Sequence, residues 1–122
     1  MNAPYVDNSN KWAGGGFLST APDLVRFGMA HLDGTLLRRE TLETLWTSQA
    51  TTEGEETGYG IGWRVATWEG RQVVYHTGGA VGGTTVLVIY PEEGLVVSLL
   101  ANIQNAGQTG NAEQVAEIFL TR

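Results

Sequence analysis

The chain has 122 residues, the size of one domain, with 42% hydrophobic and 16% charged side chains, a balance too apolar for a disordered chain. Thirteen acidic against seven basic residues give a formal charge of -6, so the basic face that a nucleic-acid binder needs is absent. There is no cysteine, which excludes disulfides and thiolate chemistry and leaves the compartment undetermined. Glycine is the outlier: 17 residues is about 14%, roughly twice the usual share, and the absence of a three-residue period rules out collagen.

No run approaches the ~18 apolar residues of a membrane span. The polar start Met1-Asn2-Ala3-Pro4 predicts no signal peptide. Residues 1–16 read as an arriving loop, with Pro4, Asp7-Asn8-Ser9-Asn10 and Gly14-Gly15-Gly16. A helix should follow. Thr20 and Asp23 have capping-box spacing, Pro22 falls in the first turn, and Gly34 is a natural stop. Leu24, Phe27, Gly28 and Leu32 share its inner face, widened by Val25 and Met29. A short helix is expected over Glu40–Trp46, with Leu42, Leu45 and Trp46 inward, then a polar surface loop over 47–58.

The pattern changes at Tyr59. Four strands are expected, over Tyr59–Trp68, Arg71–Thr77, Thr84–Tyr90 and Leu95–Ala101. Glu69-Gly70 and Pro91-Glu92-Glu93-Gly94 are turns, and Gly78-Gly79-Ala80-Val81-Gly82-Gly83 reads as a glycine-rich turn. The last strand is almost wholly apolar, which predicts cover on both faces. A final helix should start with Asn111 as N-cap and turn Ala112, Val115, Ala116 and Phe119 inward. The fold class is α+β: an antiparallel meander of about four strands with helices on a face, in one domain over 1–122.

Little in the chain carries chemistry by itself. His31 and His76 are the only histidines and lie far apart, and neither HExxH nor an EF-hand loop occurs, so no metal or other cofactor is expected. Gly60-Ile61-Gly62 begins a dinucleotide fingerprint that Val65 ends, and no phosphate-loop motif is present. None of Ser9, Ser19, Ser48 or Ser98 lies in GxSxG or has a lysine three residues on. Ser19 reads as a cap or loop residue and Ser98 as a small buried hydroxyl. His76-Thr77-Gly78-Gly79 is the exception. Its glycines allow close approach to the backbone, an unpaired strand N–H can donate to an oxyanion, and a histidine can share a proton near neutral pH. The plain alternative is a hairpin with His76 facing solvent.

Four stretches together resemble the C-terminal half of serine β-lactamase-like hydrolases, the group of class C β-lactamases, penicillin-binding-protein-like peptidases and related esterases. They are Trp12-Ala-Gly-Gly-Gly-Phe-Leu-Ser-Thr-Ala-Pro-Asp-Leu-Val-Arg-Phe27, Tyr59-Gly-Ile-Gly-Trp63, His76-Thr-Gly-Gly79 with Gly82-Gly83, and Tyr90-Pro-Glu-Glu-Gly94 through Ala101-Asn102. They run in the family's order over residues 5–102, and the terminal helix fits too. The third motif, usually Lys-Thr-Gly, is here His-Thr-Gly, as in esterase-like and peptidase-like members, which argues against an antibiotic-destroying enzyme.

The resemblance implies the C-terminal part of the β-lactamase/transpeptidase-like fold. It implies that His76 is a polar or proton-sharing catalytic partner, that Thr77 and Gly78 line the substrate cleft, and that the Gly79 N–H is an oxyanion donor to a small acyl substrate. The family's Ser-x-x-Lys and Tyr-x-Asn motifs are missing, and Tyr5-Val6-Asp7 comes too late to be the latter, so Tyr5 is read as structural or at the cleft edge. The expectation is a partial hydrolase, inactive alone. The apolar Leu95–Ala101 edge should then pair with a second copy, making a dimer or other homo-oligomer, or with a separate N-terminal half. The alternative is a stand-alone binding or interaction module on the same fold, in which Trp12, Trp46, Trp63 and Trp68 could line a cleft.

Overall fold

The structure, a computed structural model, describes residues 2–120; Met1 and residues 121–122, which the single-domain span and the polar start include, lie outside the described residues. The helices are α1 (Ala21–Leu32), α2 (Arg39–Leu45) and α3 (Gln108–Leu120), and the strands β1 (Arg64–Trp68), β2 (Arg71–Ala80), β3 (Gly83–Tyr90) and β4 (Leu95–Ala101). The sheet is fully antiparallel in the order β1-β2-β3-β4, the meander that short connections dictate.

Side chains alternate between the two faces, and both faces are apolar. Val73, Val86, Val88, Tyr90 and Val97 pack with Ala112 and Ala116 of α3 on one face. Val74, Leu87, Ile89 and Trp63 pack with Leu24 and Leu32 of α1 and with Leu45 and Trp46 on the other. Helices therefore cover both faces rather than one. β4 is covered on each side, as its continuous apolar sequence requires.

Local chemistry sets α1. The Thr20 hydroxyl accepts from the Asp23 N–H at 3.3 Å and donates to the Asp23 carboxylate at 2.9 Å, Pro22 occupies the first turn, and Gly34 lies beyond the C-cap at φ 75°. The Thr20 hydroxyl, then Arg26, holds the exposed Asp23 carboxyl below its ordinary range. Glu69 and Gly70 take φ 46° and 79°, the paired positive values of a two-residue hairpin turn.

Further sequence expectations are corrected. The strand expected over Tyr59–Trp68 is regular only from Arg64, because the Gly60 N–H bonds to the Trp63 carbonyl and the Ile61 N–H to the Leu45 carbonyl, 2.8 and 2.9 Å, instead of to a neighbouring strand. The turn expected over Gly78–Gly83 is only Val81-Gly82; Gly78 and Gly79 remain in β2, opposite Thr85 and Thr84. Asn111 is not an N-cap: α3 begins three residues earlier, the Gly107 carbonyl accepts the Asn111 N–H at 3.3 Å, and the Asn111 amide turns back to the Ala106 carbonyl. Phe119 is 62% exposed, because Leu120 takes the inward position beside Ala116. Tyr5 and Trp12 also lie in solvent, so neither braces the fold, whereas Trp63 is core.

Candidate active site

β2 outruns its neighbour. Its pairing with β1 ends at Arg64↔Tyr75, while its pairing with β3 continues from Val74↔Ile89 to Ala80↔Gly83. Among the described residues, β2 beyond Tyr75 therefore has a partner on one side only. Each two-residue hairpin is flanked by a hydrogen-bonded pair, Trp68↔Arg71 and Ala80↔Gly83. Counting alternately from both ends, His76, Gly78 and Ala80 bond to β3. The N–H and C=O of Thr77 and Gly79 point to the open edge.

His76, on the α1 face of the sheet, is exposed yet engaged at both nitrogens. Nε2 lies 2.7 Å from the Tyr59 hydroxyl and Nδ1 2.8 Å from the Thr77 carbonyl oxygen. The rings of Tyr59 and His76 meet edge-on, with centroids 5.9 Å apart at 83°. The Arg64 guanidinium carbon is 5.7 Å from the Tyr59 ring centroid, within cation–π range. Tyr59 is fixed by its backbone: its N–H donates to Thr57 Oγ1 at 3.2 Å and its carbonyl accepts from the Gln49 N–H at 2.9 Å.

The four residues picked out by sequence thus lie contiguously on one half-paired strand. A Cβ on Gly78 would come 2.6 Å from Thr85 Oγ1, so any other residue there would make the Thr85 hydroxyl move. Among the described residues, nothing lies within 4 Å of where a Cβ on Gly79 would be. Tyr59 was missed as a site residue: its sequence neighbourhood reads as strand, and its partner is seventeen residues away.

No serine joins the cluster. Ser48 Oγ accepts the Gly58 N–H at 3.0 Å. Ser98, on β4, sits opposite Leu87, itself opposite His76. Two strand spacings put Ser98 about 10 Å from His76, and its hydroxyl is buried without a partner among the described residues. Ser9 and Ser19 are in the exposed segment before α1, as is Lys11.

His31 is apart from this site. It is 3% exposed, with Nδ1 2.8 Å from the Phe27 carbonyl and its ring against Phe27, Trp46 and Trp63. A cavity of about 500 Å³ beside it lies at the opposite end of the sheet from His76, reaching Gln72 and Pro91. Among the described residues no group of three His, Cys, Asp or Glu side chains could hold a metal ion, and no helix is long and apolar enough to cross a membrane.

Comparison with known proteins gives the family. Residues 1–119 match the β-lactamase family. The chain is 36% identical over 158 residues to the human mitochondrial serine β-lactamase-like protein LACTB, an alignment covering 98% of this chain and 29% of that protein. It is 34% identical over 119 residues to penicillin-binding protein 4 of Amycolatopsis lactamdurans, covering 82% and 30%. It is 29% identical over 109 residues to a putative penicillin-binding protein, PbpX, of Bacillus subtilis, covering 88% and 25%. The chain thus spans less than a third of the length of these curated relatives. A family match over almost the whole chain and a relative 36% identical over 98% of it show that the chain belongs to the β-lactamase family.

Proposed function

We propose that this chain supplies the oxyanion and cleft wall of a serine acyl-transfer site and is inactive alone. The observation that carries the reading is the open half of β2, which turns the Gly79 N–H to an edge without a strand partner among the described residues, on the same side as the Thr77 carbonyl that His76 covers. A preorganised N–H of this kind stabilises the charge that develops on an acyl oxygen. Thr77 and Gly78 border the same edge and would line the path of a small ester, amide or β-lactam.

The sequence contains no Ser-x-x-Lys, so the nucleophile and its base must come from another segment. Loss of the nucleophile in a serine protease costs about 10⁶-fold in kcat. The outer edge of β4 is the natural place for that segment, or a second copy of the chain, to add a strand.

The test is to assay the chain with a chromogenic ester and a chromogenic β-lactam, alone and mixed with a polypeptide that carries Ser-x-x-Lys from a family member. The expected result is no turnover alone and measurable turnover in the mixture. A covalent acyl adduct on the chain alone, seen by mass spectrometry, would overturn the reading.

A further inference from the structure

We propose that Tyr59 is a positioning residue for this edge: its hydroxyl fixes His76 as the Nδ1–H tautomer, so that the imidazole covers the Thr77 carbonyl. The proposal rests on the reading of the Thr77–Gly79 edge as an oxyanion wall.

The hydrogen-bond roles follow from the partners. A carbonyl oxygen only accepts, so the 2.8 Å contact to Thr77 requires a hydrogen on Nδ1 of His76. In the neutral ring Nε2 is then a bare acceptor, and the group 2.7 Å away, the Tyr59 hydroxyl, can donate to it. The bond between Tyr59 and His76 spans seventeen residues and joins two separately anchored elements, so chain neighbourhood does not explain it. An exposed imidazole loses freedom when both nitrogens are tied, which water alone does not impose.

The consequence is electrostatic. The Thr77 carbonyl shares the open edge with the Gly79 N–H, and an uncovered carbonyl beside an oxyanion would repel it. The Nδ1–H of His76 satisfies that carbonyl and leaves the N–H donor as the polar group presented to an anion. The opposite tautomer would set the Nδ1 lone pair against the carbonyl.

Proton movement is constrained in the same way. Nδ1 is occupied, so a proton reaching the ring must arrive at Nε2. The protonated ring then donates from Nε2 to the phenol oxygen. The phenol hydrogen turns to another acceptor, and no bond to carbon is made or broken.

The experiment uses the 122-residue protein with ring-¹⁵N histidine. Long-range ¹H–¹⁵N correlation spectra are recorded at pH about 8.5, where an ordinary histidine is neutral. The expected wild-type pattern for His76 is Nδ1–H, with the Nε2–H pattern appearing in Tyr59→Phe. His31, whose Nδ1 is held by the Phe27 carbonyl, is the internal reporter of an intact fold. An Nε2–H pattern for His76 in the wild-type protein would overturn the proposal. So would an unchanged Nδ1–H pattern in a folded Tyr59→Phe protein. If the variant fails to fold, an Nε2–H pattern in the wild-type protein still overturns the proposal. None of these readings needs turnover, so they stand or fall separately from the acyl-transfer reading.

Discussion

The Cβ that Gly28 lacks would lie 2.6 Å from Cγ1 of Val96 and 3.2 Å from its Cγ2. Glycine within a helix costs ~0.5–1 kcal/mol relative to alanine. In α1 that cost is offset by close seating of the helix on β4. Gly28→Ala should therefore destabilise the chain by about 1–3 kcal/mol despite its better helix propensity, because the branched Val96 cannot withdraw. Val96→Ala alone should also destabilise, through lost packing. The double variant should be more stable than the sum of the two effects predicts, as measured by urea unfolding. Simple additivity would mean that the two residues do not share this contact.

The alternation along β2 gives a second test. The Gly79 N–H faces the open edge and the Gly78 N–H bonds to β3, a consequence of the pairs Trp68↔Arg71 and Ala80↔Gly83. Proline removes a donor and is tolerated on an unpaired strand edge. Gly79→Pro should fold with little loss of stability. Gly78→Pro should lose about 1–3 kcal/mol more than Gly78→Ala, which meets the same Thr85 Oγ1 at 2.6 Å but keeps the N–H, because only proline orphans the Thr85 carbonyl. Equal melting temperatures for Gly78→Pro and Gly78→Ala would show that the alternation runs otherwise.

Much of this architecture is legible because local chemistry specifies it. Thr20, Asp23, Pro22 and Gly34 mark the ends of α1 by themselves, and Glu69-Gly70 marks a hairpin whatever surrounds it. The bounds of β4 follow from a turn before it and an unbroken apolar run within it. The misplaced parts depend on distant partners. Tyr59–Trp63 has a strand's composition, yet its backbone bonds go to Trp63 within the segment, to Gln49 and to Leu45 at the end of α2. Gly78 and Gly79 have a turn's composition, yet β3 holds them extended. At the site, His76, Thr77, Gly78 and Gly79 could be picked out because they are consecutive. Tyr59 could not, since only the folded chain brings its hydroxyl to His76.

Tyr90 predicts a pH dependence. Its side chain is buried and its hydroxyl has no hydrogen-bond partner among the described residues. Burial, then the Glu113 and Glu117 carboxylates, pushes its pKa up to about 12 from 10.0, with the Arg71 charge opposing. The neutral phenol is thus favoured in the fold. Stability is fully present below pH 10.0, where both states keep the proton, and is lost as pH rises toward about 12, because the unfolded chain ionises first. Tyr90→Phe should remove this alkaline loss. At pH about 7 the variant should be roughly 1 kcal/mol more stable, since an unpaired buried hydroxyl is gone. Urea midpoints at pH about 7 and about 11 check both statements. An equal alkaline loss in the variant would assign it to other groups.

The outer edge of β4 is where self-association should begin. The parity that assigns Thr85, Leu87 and Ile89 to β2 leaves Leu95, Val97, Leu99 and Ala101 bonded to β3. The N–H and C=O groups of Val96, Ser98 and Leu100 therefore face outward from a seven-residue strand that has no charge and no proline. Natural edges are protected by such residues or by bulges, and this one has neither. The wild-type chain should sediment as a dimer or larger species at tens of micromolar. Leu100→Pro removes an outward donor and no bond to β3, so it should keep the wild-type circular dichroism and sediment as a monomer. Pairing through the edge is contradicted by a monomeric wild-type chain, and equally by a Leu100→Pro variant that associates as strongly. Recovery of a single species when a Ser-x-x-Lys-bearing polypeptide is added to the wild-type chain, but not to Leu100→Pro, would place the completing segment on this strand.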